Sequence, residues 1–99
     1  MVKIILKESS LEVIGHGTDE TCSRVSQFIY DIEVMYFLIN KNLYLKQMKE
    51  GKIFFEKGHS LISWDYTLDF TLHQFIKFVA QELKTLYPNT IEFENHSIS

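Results

Sequence analysis

From Val25 to Ile39 the chain carries apolar side chains on nearly every face of one helix. Val25, Phe28, Ile29, Ile32, Met35, Tyr36 and Ile39 recur at helical spacing, and Tyr30, Val34, Phe37 and Leu38 fill the other faces. A helix of this kind is stable when it is covered on more than one side. The fold must therefore supply a sheet against one face. A second helix, or the same helix of a partner subunit, must cover another. With 99 residues, 45% of them apolar and 14% aromatic, this implies a single domain spanning residues 1–99. Its surplus of large apolar side chains points to a homodimer.

The rest of the chain reads as partners for that helix. Val2 to Lys7 and Leu11 to Ile14 are rich in β-branched residues and flank Glu8-Ser9-Ser10, so they predict a hairpin. Gly15 to Thr18 is a loop, and Thr18 or Asp19 supplies the helix N-cap. Asn40-Lys41-Asn42 ends the helix. Leu43 to Lys49 and Lys52 to Glu56 read as two strands joined at Glu50-Gly51. Lys57 to Tyr66 shows no period and reads as a loop. A second helix runs from about Thr67 or Asp69 to Leu86, with Leu72, Phe75, Ile76, Val79, Leu83 and Leu86 as its stripe. Tyr87-Pro88-Asn89 stops it, Thr90 to Glu94 suggests a last strand, and Asn95 to Ser99 a tail. The expected class is α+β: one mostly antiparallel or mixed sheet of four to five strands with two helices, in the order β-β-α-β-β-α-(β).

Charge and cysteine usage narrow the function. The net charge is −3 and there is no run of Lys or Arg, so no direct nucleic-acid or anionic-membrane footprint is expected. The single cysteine allows no internal disulfide and suits a reducing compartment. The apolar part of the N-terminus is too short for a signal peptide, and no apolar run reaches the ~20 residues of a membrane span. The expected location is the cytoplasm.

One segment carries chemistry: Gly15-His16-Gly17-Thr18-Asp19-Glu20-Thr21-Cys22-Ser23-Arg24-Val25-Ser26. Cys22 falls in the opening turn of the first helix, where free backbone N–H groups and the positive end of the helix dipole favour a thiolate nucleophile. His16, at the end of a strand, can take the thiol proton and later protonate a leaving amine. Backbone N–H groups near Cys22 can serve as an oxyanion hole. The same spacing also suits a plain core thiol, because Cys22 shares a helical face with Val25 or Ser26 and with Ile29.

The segment resembles the signature of the ribosomal-processing cysteine protease (Prp, YsxB-like) family, which runs Gly-His-Ala, a Gly-rich loop, then Asp-Ile-Val-Cys-Ala-Ala-Val-Ser. Gly15, His16, Asp19, Cys22, Val25 and Ser26 match it. Tyr87-Pro88 and the following Ile91-Glu92-Phe93 are similar to the family's C-terminal helix end and strand. The resemblance implies a dimeric α+β cysteine endopeptidase that trims the N-terminal extension of a bacterial large-subunit ribosomal protein precursor, without a cofactor. It implies Cys22 as nucleophile and His16 as general base. Gly15 would let the chain turn close to the substrate, Asp19 would cap the helix and orient His16, and Ser26 would hydrogen-bond locally.

The chain departs from the pattern in two places. Five residues separate His16 from Cys22, fewer than in the family's Gly-rich loop, and Ser23-Arg24 replaces an Ala pair. Arg24 would either stabilise the thiolate or fill substrate space. An inactive paralogue acting as a dimeric binding or structural module is the alternative. Elsewhere, His59, His73 and His96 form no metal spacing with Cys22, and His73 is expected at the surface. Trp64 and Tyr66 are expected in core or dimer packing, and Asp65, Asp69 and Glu56 as caps or solvated charges.

Overall fold

The β-branched opening run folds as expected. In the computed structural model, which describes residues 1–64 and 70–97, Val2–Leu6 (β1) and Ser10–Gly15 (β2) pair antiparallel across the Lys7–Ser9 turn. Helix α1 spans Asp19–Ile39, α2 Lys41–Lys49, β3 Ile53–Glu56, β4 His59–Ser63, α3 Phe70–Leu86 and β5 Ile91–Asn95. The five strands form one mixed sheet in the order β3-β4-β2-β1-β5, with β1 and β5 parallel and the other pairs antiparallel. The architecture is α+β, with three helices where two were expected. Among the described residues no helix is long and apolar enough to cross a membrane.

Strand alternation divides the sheet into two faces. Val2, Ile4 and Leu6 of β1, Leu11 and Val13 of β2, Ile62 of β4 and Ile91 of β5 are buried on one face. Val25, Phe28, Ile32 and Tyr36 of α1 and Leu72, Ile76, Ala80 and Leu83 of α3 complete that core. The opposite face is polar at its edges, with Lys3 paired to Glu94 at 3.0 Å and His59 to Glu12 at 2.6 Å.

The extra helix corrects the expected strand at Leu43–Lys49. Asn40 ends α1, its N–H bonding the Tyr36 carbonyl, and its side chain then accepts the Leu43 N–H at 3.0 Å as the N-cap of α2. Leu, Lys, Gln and Met are good helix formers, and once capped they wind rather than extend. Gly51 is therefore a helix-terminating glycine (φ 75°), not a hairpin turn. The hairpin lies one step later, between β3 and β4 around Lys57-Gly58, inside the stretch expected to be loop. The expected starts of the last helix, Thr67 and Asp69, lie outside the described residues, as do Asp65 and Tyr66. Trp64 is buried, as expected, and Glu56 is exposed.

The second side of α1 is covered only in part. Tyr44 of α2 is buried with its ring edge-on to Tyr36 and Phe37, and its hydroxyl donates to Glu33. Burial, reinforced by the Glu33 carboxylate, pushes the Tyr44 hydroxyl well above its ordinary pKa. Tyr30 and Leu38 remain 60% and 76% exposed.

His73 corrects another expectation. It is fully buried in α3, its ring 6.0 Å from that of Trp64 and edge-on to it. Burial, helped by the nearby charge of Lys77, holds it below the ordinary histidine value of 6.5. The unfolded chain therefore takes up this proton before the folded chain does, and stability falls as pH drops below the ordinary value. Urea unfolding at about pH 7.5 and about pH 5.5 should show a lower midpoint at the lower pH, and His73→Leu should flatten that difference. Equal differences in the two proteins would contradict this role for His73.

Candidate functional site

Cys22 is placed by a short, tightly held connection. β2 ends at Gly15, whose φ of 97° lies in the left-handed region, and a Cβ there would collide with the Met1 carbonyl oxygen. Only glycine turns the chain at this point. Thr18 is the N-cap of α1, accepting the Thr21 N–H at 3.2 Å. Thr21 is fully buried, and its hydroxyl bonds both Thr18 Oγ1 (3.0 Å) and Thr90 Oγ1 (2.8 Å). Tyr87 donates to Glu20 at 3.1 Å. These bonds fasten the start of α1 over the β5 side of the sheet.

On the other side a cavity of about 290 Å³ opens beneath α1. Its apolar floor is Val2, Val13, Val25 and Ile29. His16, Cys22 and Ser26 border it, and the β3–β4 turn from Glu56 to Ser60 closes the far wall. Both sequence-expected reactive groups thus reach one cavity. Cys22 is half-buried. Its sulfur accepts the Gly17 N–H at 3.4 Å and donates to the Gly17 carbonyl at 3.7 Å. Among the described residues no hydrogen bond joins it to His16. The imidazole instead lies against Gly58, where an added Cβ would approach Nε2 to 2.8 Å. The β3–β4 turn therefore sets where the ring sits.

The helix start offers fewer free donors than expected. The Cys22 N–H already bonds the Thr18 carbonyl at 2.8 Å, and the Thr21 N–H is taken by the cap. Gly17 supplies the one backbone N–H seen at the sulfur, and Asp19 and Glu20 hold N–H groups without an intrahelical acceptor.

The supporting residues fall out differently. Gly15 turns the chain close to the Met1 backbone, the approach that the structure itself accounts for. Asp19 is the first helical residue rather than the cap, and among the described residues no hydrogen bond links it to His16; its charge favours the helix start through the dipole. Ser26 is exposed beside the cavity, without the expected local bond among the described residues. Arg24 projects to the α1–α3 side, near Asp31 and Glu82, so it neither faces the thiol nor occupies its cavity.

Two contributors were not foreseen. Gly58 carries the left-handed turn (φ 81°) on which His16 rests. Gly17 contacts the sulfur, and a Cβ on it would press on Thr21 at 3.1 Å. Recognising β4 as a strand would have placed Gly58 at its turn. His59 borders the cavity too, but strand alternation sends its ring to the opposite sheet face, where it meets Glu12. No metal-binding group of three or more His, Cys, Asp or Glu exists among the described residues. No protein-family model matches the chain, and no curated protein is significantly similar to it.

The three left-handed glycines differ in surroundings, which yields an ordered prediction. Gly51→Ala meets no neighbouring atom and should cost about 1 kcal/mol for backbone strain alone. Gly15→Ala adds a clash with backbone and should cost about 2–3 kcal/mol or more. Chemical denaturation checks the order, and equal losses would contradict it.

Proposed function

We propose that the protein is a cytoplasmic cysteine endopeptidase acting on an extended peptide segment, with Cys22 as nucleophile and His16 as general base and acid. One observation carries the reading: a half-exposed thiol and an imidazole, separated by five residues, border one cavity with an apolar floor. The resemblance to the Prp family favours the same pair.

In the proposed reaction His16 takes the Cys22 proton and the sulfur attacks the scissile carbonyl. The Gly17 N–H turns from sulfur to the developing oxyanion. His16 then protonates the leaving amine, and water, deprotonated by the same ring, hydrolyses the thioester. The ring must first leave its rest on Gly58, so movement of the His16 loop or of the β3–β4 turn belongs to the cycle. Catalytic hydrogen bonds commonly tighten only with substrate bound. The favoured substrate is the N-terminal extension of a large-subunit ribosomal protein precursor, and the favoured assembly a homodimer; both rest on the resemblance.

A second reading, a binding module without catalysis, is favoured by one feature. The thiol is bonded to the Gly17 backbone, and the Cys22 N–H is consumed within the helix. The two readings separate in one experiment. Ribosomal protein precursors incubated with the protein should lose their extension by mass spectrometry, and Cys22→Ala and His16→Ala should each slow this by about a hundredfold or more. No trimming, or trimming that persists in Cys22→Ala, would favour the binding module.

A further inference from the structure

Helices α1 and α3 bury their apolar stripes on one face of the sheet, and α2 joins the same side by packing Tyr44 against Tyr36. No described helix therefore covers the other face, and that face is not purely polar. Phe54 of β3 stands opposite Leu61 of β4, Leu61 opposite Glu12 of β2, and Glu12 opposite Ile5 of β1. Phe54, Leu61 and Ile5 are only half-buried, and Ile14 beside them is 39% exposed. Strand alternation sends Glu12, Glu56, Glu92 and Glu94 outward with them, against one outward lysine of the strands, Lys3. Lys3 and His59 engage Glu94 and Glu12. Glu56 and Glu92 are exposed and stand outside any ion pair among the described residues. Beyond the strand ends, Lys52 pairs with Glu50 at 3.2 Å, and Lys7 is followed by Glu8.

We infer that this open sheet face docks a basic amphipathic helix of another protein, with the helix's apolar stripe over Phe54, Leu61 and Ile5 and its cations at the glutamates. Five strands about 4.8 Å apart make a face roughly 20 Å across, room for a helix of about 10–12 Å diameter. The apolar side chains make the face worth covering, and charge chooses the occupant. A second copy would bring the same excess of carboxylates against it. Single-stranded nucleic acid and an anionic bilayer meet like charge as well. The cavity at Cys22 is floored by Val2 and Val13, which point to the other side of the sheet, so the inference stands apart from the chemistry at that residue.

A fluorescein-labelled synthetic helix with leucines on one face and lysines on the other tests it by anisotropy. The helix should bind, weaken as salt rises, and lose about tenfold or more in affinity for the double variant Glu92→Lys, Glu94→Lys. Phe54→Ala should weaken it too. The double variant Asp31→Lys, Glu82→Lys changes the net charge equally but on the α1–α3 side, and it should bind as the native protein does. Circular dichroism verifies that each variant stays folded. No binding, equal binding of a helix with glutamates in place of the lysines, or equal losses in the two double variants would overturn the inference. So would tighter binding of a single-stranded oligonucleotide, or a dimer in sedimentation that Leu61→Lys dissolves.

Discussion

Everything in this molecule hangs on α1 lying across one face of the sheet. Val25, Phe28, Ile32 and Tyr36 supply its buried stripe, and the sheet answers with Val2, Ile4, Leu11 and Val13. Fully burying one such side chain stabilises by about 1.5–3 kcal/mol, so this contact outweighs any single polar interaction present. It also fixes both ends of the helix relative to the strands. One end carries Cys22 to the mouth of a cavity. The other holds an apolar surface beside α2.

The polar contacts act on that frame rather than create it. The hydroxyl chain Thr18–Thr21–Thr90 runs from the exposed cap through the fully buried Thr21, whose hydroxyl is bonded on both sides, so it locks the helix start at little net cost. Exposed ion pairs such as Lys3–Glu94 add little to stability. Tight anchoring on the β5 side leaves the β4 side as the route to the sulfur. There the walls are a glycine turn and a histidine resting on it.

Much of this was legible in the residue order, and the failures share a cause. β-Branched runs flanking Glu8-Ser9-Ser10 found β1 and β2, and helical spacing found α1 and α3. Pro88 marked the helix end, and the strand after it, because those signals are local. The α2 helix was hidden because Leu43–Lys49 mixes strand-like aromatic and aliphatic residues, while the deciding bond, Asn40 side chain to Leu43 N–H, reads equally well as a stop. Misreading Gly51 followed from that, and β4 was lost with it. His73 was misplaced because a polar residue beside an apolar stripe usually faces water; here Trp64 covers it. At the site, Cys22 and His16 were legible from residue type and position, and Gly15 came in only through the resemblance. Gly58 was not, because it reaches His16 only through the sheet register. The actual position of Arg24 depended on helix phase against α3.

The central claim is that Cys22 is an accessible nucleophile whose reactivity depends on His16. Its alkylation rate with iodoacetamide at neutral pH, in the native protein and in His16→Ala, tests this most directly. The account predicts rapid labelling of the native thiol and markedly slower labelling without the imidazole. Slow labelling that rises only on unfolding, or a rate indifferent to His16, would contradict it.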